Sequence, residues 1–349
     1  MNSKSILIVS LSLLLIHTIY SGRSTFRPID PLMPEIITNW EGEEKTYHFK
    51  DSHLEAAPIF MKFDYNHFMN HLLPRESIKY RVDKSKEVSG KILDNLANGL
   101  VNELYEHKKV FTNFVVLKDS DFNYKLISGD LVLKYKDYPF IIKLFIETPE
   151  SFVKPFSKGW QPACFFLVSG GTSRYLSGFS RIKNRDISEQ KIKAHPYWSK
   201  KNLDFPRKWY GTYKYQTWFT LQSKNIGLEN HKIKLPSIYW IIADAIKEDK
   251  TRNIREEESP TFALDLSNDL DNGLDPNDGN ILIEEKTGDR VIIDTEYFPS
   301  MVGLKKRTRF TSYTHWYCTL TGMALEAQFF RHKYFRRNLQ RIPSQVLKA

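Results

Sequence analysis

The sequence predicts an α+β fold: an antiparallel sheet followed by a small, mainly helical second part. Short β-prone runs follow one another between residues 111 and 145, separated by tight polar turns. Apolar residues recur at steps of three and four over 85–109 and again over 311–340, the spacing of amphipathic helices. Two short apolar runs, 281–283 and 291–293, flank a turn closed by Gly288 and read as a β-hairpin. With 349 residues, 41% hydrophobic and 14% aromatic, the chain can bury a sizeable core, as one two-lobed domain or two small ones.

The first 22 residues carry Lys4, an apolar run over 6–16 and the small pair Ser21-Gly22. This is the layout of a secretory signal peptide, so an exported protein (secreted, periplasmic or in a secretory lumen) is expected. An uncleaved anchor is the competing reading, but the run is short of the ~20 residues a bilayer span needs. No other stretch is long and apolar enough to cross a membrane. Two cysteines, Cys164 and Cys318, allow at most one disulfide, so the core must supply most of the stability. The net charge is +10 and uneven: beyond Val302 ten basic residues face the single acid Glu326, whereas 244–296 is strongly acidic. No nucleic-acid motif accompanies the basic tail, which is expected to pack on the acidic stretch of its own chain.

In chain order, 23–84 is punctuated by Pro28, Pro31, Pro34, Pro58 and Pro74. His67 and His71 stand four apart, a spacing that could hold a metal; lacking a third ligand, they read as a helix face packed beside Phe63 and Phe68. After the helix at 85–109 come β-rich runs at 111–117, 124–127, 130–135 and 140–145. The last contains Lys143 among branched apolar residues, where a buried ammonium needs a partner; an outward-facing lysine at an edge is the alternative. Gly170-Gly171 reads as a flexible turn. A short helix is expected over 185–193, carrying Glu189. Aromatic and basic residues interleave over 195–220, which suits packed hairpins at a domain junction; stacking on single-stranded nucleic acid or sugars is the other use of such a pattern. Residues 217–221 are read as the last strand of the sheet. A mostly buried helix is expected over 235–249, then a charged insert over 250–272.

The hairpin is preceded by Asp275-Pro276-Asn277-Asp278-Gly279-Asn280 and followed by Asp294-Thr295-Glu296. Because a hairpin brings the chain back to its start, Asp294 should return near Asn280 and Asp275. Asx and Gly residues also make ordinary turns. A calcium loop is a third reading, but Gly279 stands fifth and Lys286 twelfth, and a strand follows where an exit helix is needed.

The D-x-x-x-x-N spacing of Asp275 and Asn280, the hairpin and the second acid Asp294 resemble the catalytic loop and metal-binding segment of the protein-kinase-like superfamily. The Gly-Asn-Ile-Leu-Ile wording lies nearer its aminoglycoside-phosphotransferase-like relatives. Departures are Gly273 in place of His, Thr295-Glu296 in place of Phe-Gly, and no G-x-G-x-x-G ahead of Lys143. The resemblance implies a two-lobed protein-kinase-like fold with an antiparallel N-terminal sheet and a small, mainly helical C-terminal lobe. Beyond the leader (1–22), it divides the chain into an extension (23–110), the sheet lobe (111–222) and the helical lobe (223–349). It also implies ATP and Mg²⁺ as cofactors, with phosphate passed to an acceptor protein or small molecule. Asp275 would be the catalytic base; Lys143 would grip the phosphates, paired with Glu189 in preference to Glu147 or Glu150. Asn280, Asp294 and Glu296 would hold metal. A kinase-shaped binding module without turnover is the alternative.

Overall fold

The computed structural model describes residues 35–48, 64–149, 171–215, 217–224, 232–271, 274–296 and 309–319. These all belong to one compact unit, Pro34–Ala349. Strands β1 (Glu35–Trp40) and β2 (Glu43–His48) form a hairpin turned by Glu41 and Gly42, both at positive φ. Helix α1 (Tyr65–Asn70) is capped by Asp64, whose carboxylate accepts from His67 N at 2.8 Å. Strands β3 (Ser77–Lys79) and β4 (Glu87–Ser89) pair, and helix α2 (Gly90–Tyr105) follows directly. The pairing of β4 is why the helix expected from residue 85 begins at Gly90.

A three-stranded meander comes next: β5 (Phe114–Asn123), β6 (Ser128–Tyr135) and β7 (Phe140–Ile146). Residues 124–127, expected as a strand, are instead the turn between β5 and β6. Helices α3 (Gly171–Gly178) and α4 (Arg181–Ala194) precede β8 (Leu203–Asp204), β9 (Lys208–Thr212), β10 (Trp218–Lys224), β11 (Lys232–Pro236) and β12 (Ile238–Asp244). Gly171 therefore opens a helix and not a flexible turn; Gly170 lies outside the described residues. Two short helices, α5 (Ile254–Glu257) and α6 (Phe262–Leu270), lead to the hairpin β13 (Ile281–Ile283) and β14 (Arg290–Ile292). Helix α7 spans 313–319; the rest of the helix expected to 340 lies outside the described residues, as do residues 1–22, where a leader is expected. No helix among the described residues is long and apolar enough to cross a membrane.

The architecture is α+β with antiparallel sheets. The five-stranded sheet has the order β5-β6-β7-β12-β9; a four-stranded sheet has the order β11-β10-β1-β2. In the third sheet, β8 runs parallel to β14 beside β13. Two corrections concern β10 and β12. Residues 235–249 do not form a helix: Ile238–Asp244 is a strand between β7 and β9. All seven of its side chains are buried, so the alternation that marks a half-exposed strand is missing and the apolar run carries no period of two. Residues 217–221 do not close the main sheet either, since β10 belongs to the four-stranded one.

Both faces of the five-stranded sheet are covered. Helix α2 buries Leu93, Ala97, Leu100, Val101 and Leu104 against Ile142, Leu144, Trp240 and Ile242. Neighbours on the strands point the other way, where Tyr239 stacks on Phe145 and on Phe179 at the α3–α4 junction. A second core joins α4 to the hairpin through Ile192, Trp198, Phe262, Leu266, Ile281 and Ile292. Gly211 on β9 lies opposite Trp240, where a Cβ would come within 1.9 Å of the indole Nε1. Gly211→Ala is therefore expected to cost about 1–3 kcal/mol of stability, read as a lower Tm. An unchanged Tm would mean that the indole can shift.

Candidate functional site

Strand β7 directs alternate residues to opposite faces, so Lys143 leaves the α2 core and faces the side of the sheet that α3 and α4 cover. Its Nζ lies 3.2 Å from Asp294 Oδ2, across 151 residues of sequence. The hairpin delivers the aspartate: Asp294 follows the end of β14, and Ile293 N donates to Asn280 O at 2.9 Å, tying the strand's exit to the loop before its entry. The first turn of α4 delivers a second cation. Arg181 hydrogen-bonds Asp294 Oδ1, and its other terminal nitrogen lies 2.8 Å from Glu296 Oε2. Arg174 of α3 pairs with the same Glu296 oxygen.

Thr295 locks this segment to α4. Its Oγ1 donates to Arg181 O at 2.6 Å and accepts from Lys208 Nζ at 2.7 Å; its carbonyl accepts from Asn184 Nδ2 at 3.1 Å. The electrostatics follow from burial and these pairs. Burial would raise the Asp294 carboxyl, but Arg181 first, then Lys143 and Lys208, hold it well below the usual range. Burial lowers Lys143, further lowered by Arg181 and partly restored by Asp294. Lys208, sealed in, is pushed well below an ordinary lysine by burial, against the opposing pull of Asp294. Burial raises Asp130 on β6, and Arg181 and Lys143 oppose the shift; its Oδ1 has no hydrogen-bond partner among the described residues.

Asp275 and Asn280 form the other half of the site. A 3₁₀ turn, Asp278–Asn280, is capped by Asn277, whose Oδ1 accepts from Gly279 N at 2.9 Å. It turns the Asn280 amide back to 3.4 Å from Asp275 O. Burial, then the negative charge of Asp294, push the Asp275 carboxyl up to about 6, and the Asn280 amide opposes them. Asp275 Oδ1 is buried without a hydrogen-bond partner among the described residues. A strand follows the loop, not the helix a calcium loop requires.

The structure thus brings together Lys143, Asp275, Asn280, Asp294 and Glu296. Glu189 is not among them. It pairs with Lys193 one turn along α4, on the solvent side, and the carboxylate meeting Lys143 is Asp294 itself. The side chain that α4 sends into the site is a cation. Glu147 is buried beside Tyr175, whose hydroxyl it helps to raise after burial, and Glu150 lies outside the described residues. Sequence reasoning missed Arg174, Arg181, Lys208 and Asp130. The signal for Arg181 was its place on a stripe with Asn184, Ser188 and Ile192, one turn apart in each case; that stripe is the buried face of α4.

The His67 and His71 rings lie with centres 4.0 Å apart, tilted by 36°, and His71 lies 3.6 Å from Asp186. Burial, then His71, lowers His67 to about 4. Phe63 lies outside the described residues. So do Cys164 and most of the basic tail; Cys318 is exposed and unpaired, and Arg309 of the tail lies 3.3 Å from Asp269 of the acidic stretch. Among the described residues no group of three or more His, Cys, Asp or Glu side chains could hold a metal ion; the candidate donors of the site are two carboxylates and one amide. No protein-family model, curated protein or solved structure matches the chain.

Proposed function

We propose that this chain is an exported, kinase-like phosphotransferase of two lobes, moving the γ-phosphate of ATP to a hydroxyl acceptor, a protein or a small molecule, with Mg²⁺. The observation that carries the reading is the meeting of Lys143 and Asp294 at 3.2 Å, beside Asp275 and Asn280. Two hydrophobic cores, one between α2 and the sheet and one around α6 and the hairpin, support a two-lobed reading.

The donor set suits a hard cation, since Asp294, Glu296 and the Asn280 amide offer oxygen. Glu296 Oε1 is buried without a hydrogen-bond partner among the described residues. These three residues would hold Mg²⁺, which when bound supplies charge neutralisation at the phosphate oxygens. Lys143 holds a phosphate as a point charge from the rigid sheet. Asp275 takes the proton of the acceptor hydroxyl; with its carboxyl near 6 it is ionised at neutral pH yet basic enough to keep the proton briefly. Alignment of the acceptor and γ-phosphate accounts for the remaining rate.

One observation favours a second reading, a kinase-shaped binding module without turnover. Arg181 spans Asp294 and Glu296, two of the three residues that would hold the metal. Thermal shift with Mg·ATP, followed by transfer of radiolabelled γ-phosphate, separates the two. A shift with transfer supports the enzyme, and a shift without transfer supports the module. No shift at millimolar Mg·ATP removes both nucleotide readings.

A further inference from the structure

Arg181 is 3% exposed, and its planar fork reaches two carboxylates that flank a single residue. A guanidinium matches such a pair because its donors are fixed in one plane. Its own carbonyl accepts from Thr295, so backbone and side chain together grip three consecutive residues. Arg174 adds a second positive group on Glu296, and Lys143 one on Asp294. With those partners in place, Asp294 and Glu296 present little net charge to a free divalent ion. To coordinate them, the ion would have to strip a buried guanidinium of its partners, which is strongly unfavourable.

An anion changes the balance. A phosphate-bearing ligand offers Arg181, Lys143 and Arg174 new oxygens, and the carboxylate oxygens they leave become free for a cation. Glu296 Oε1 needs no such release, having no hydrogen-bond partner among the described residues. We infer that Arg181 is the resident counter-ion of this site, standing in the divalent cation's electrostatic place and making cation binding conditional on a phosphate-bearing ligand. Which cation and which phosphate rest on the phosphotransferase reading; the counter-ion role itself does not need nucleotide to be tested.

The test uses Mn²⁺ alone with the full chain, free Mn²⁺ being counted by electron paramagnetic resonance. Arg181→Gln is expected to bind one Mn²⁺ at least about tenfold more tightly than wild type, a difference of roughly 1.4 kcal/mol. The gain is expected to vanish in the double variant Arg181→Gln, Asp294→Asn. Inorganic tripolyphosphate is expected to raise the affinity of the wild type for Mn²⁺ above the sum of protein and tripolyphosphate measured apart. Arg181→Lys keeps a charge but loses the fork, so an intermediate gain is expected; it takes over the test if the Gln variant does not fold. Two results overturn the inference: wild type binding Mn²⁺ as tightly as Arg181→Gln at a site lost in Asp294→Asn, or a folded position-181 variant with no gain. A gain of Mn²⁺ binding without any ATP-dependent shift in wild type keeps the counter-ion and removes the phosphotransferase.

Discussion

Asp294→Asn is expected to abolish the Mg·ATP thermal shift and phosphate transfer, and also to lower the Tm of the ligand-free protein. The two losses have one cause. Asp294 is the carboxylate on which Lys143 and Arg181 converge. An amide of the same shape keeps the packing but leaves the buried Arg181 and the half-buried Lys143 short of charge. Breaking one side of a buried ion pair costs about 3–5 kcal/mol. The acid limb of the stability profile is a second readout. The native carboxyl is held well below 3.8, so its contribution is complete above that value and drains away as pH falls through the native pKa. In Asp294→Asn that part of the acid limb is expected to flatten. A variant that still responds to Mg·ATP would remove Asp294 from the binding site, leaving it a structural counter-charge.

Why some of this could be read from the sequence, and some not, comes down to how local each signal is. The hairpin was legible because two apolar triplets and Gly288 fix a return of the chain, and the return alone predicts that Asp294 nears Asn280. Lys143 was legible as an anomaly, a cation in an apolar strand, but its partner was not. Glu189 meets the expectation only as an acid on a helix in the right place; which side of α4 is buried depends on packing of Ile182 and Ile192 that spacing around Glu189 alone does not reveal. Arg181 is hidden for the opposite reason: an arginine among Lys183, Arg185 and Asp186 looks solvated until its partners Asp294, Thr295 and Glu296 are in place. Strand β12 misled because complete burial erases period. A strand with one face in water would have carried the polar–apolar alternation that marks it.

Asp275→Asn is expected to divide stability from function in the opposite sense to Asp294→Asn. The Asp275 carboxyl is raised to about 6, by burial first and by Asp294 second. A carboxyl raised in the native state holds its proton longer than it does in the unfolded chain. Its contribution to stability therefore falls as pH climbs from 3.8 to about 6, and the deficit persists above that range. The shift corresponds to a native-state penalty on the order of 1–3 kcal/mol at neutral pH. The neutral amide avoids that penalty, so Asp275→Asn is expected to melt higher than wild type at pH 7 and to lose the pH-dependent fall between those values. Transfer is expected to drop by about 10²–10⁴-fold, since an amide cannot take the hydroxyl proton. In wild type the transfer rate should climb as Asp275 ionises and level off above a pH of about 6. A residue serving only the turn at 275–280 would show the reverse: a variant no more stable at pH 7, with transfer intact and no inflection near 6. A carboxylate kept at a cost to the fold, and needed for turnover, is what a working base in this position predicts.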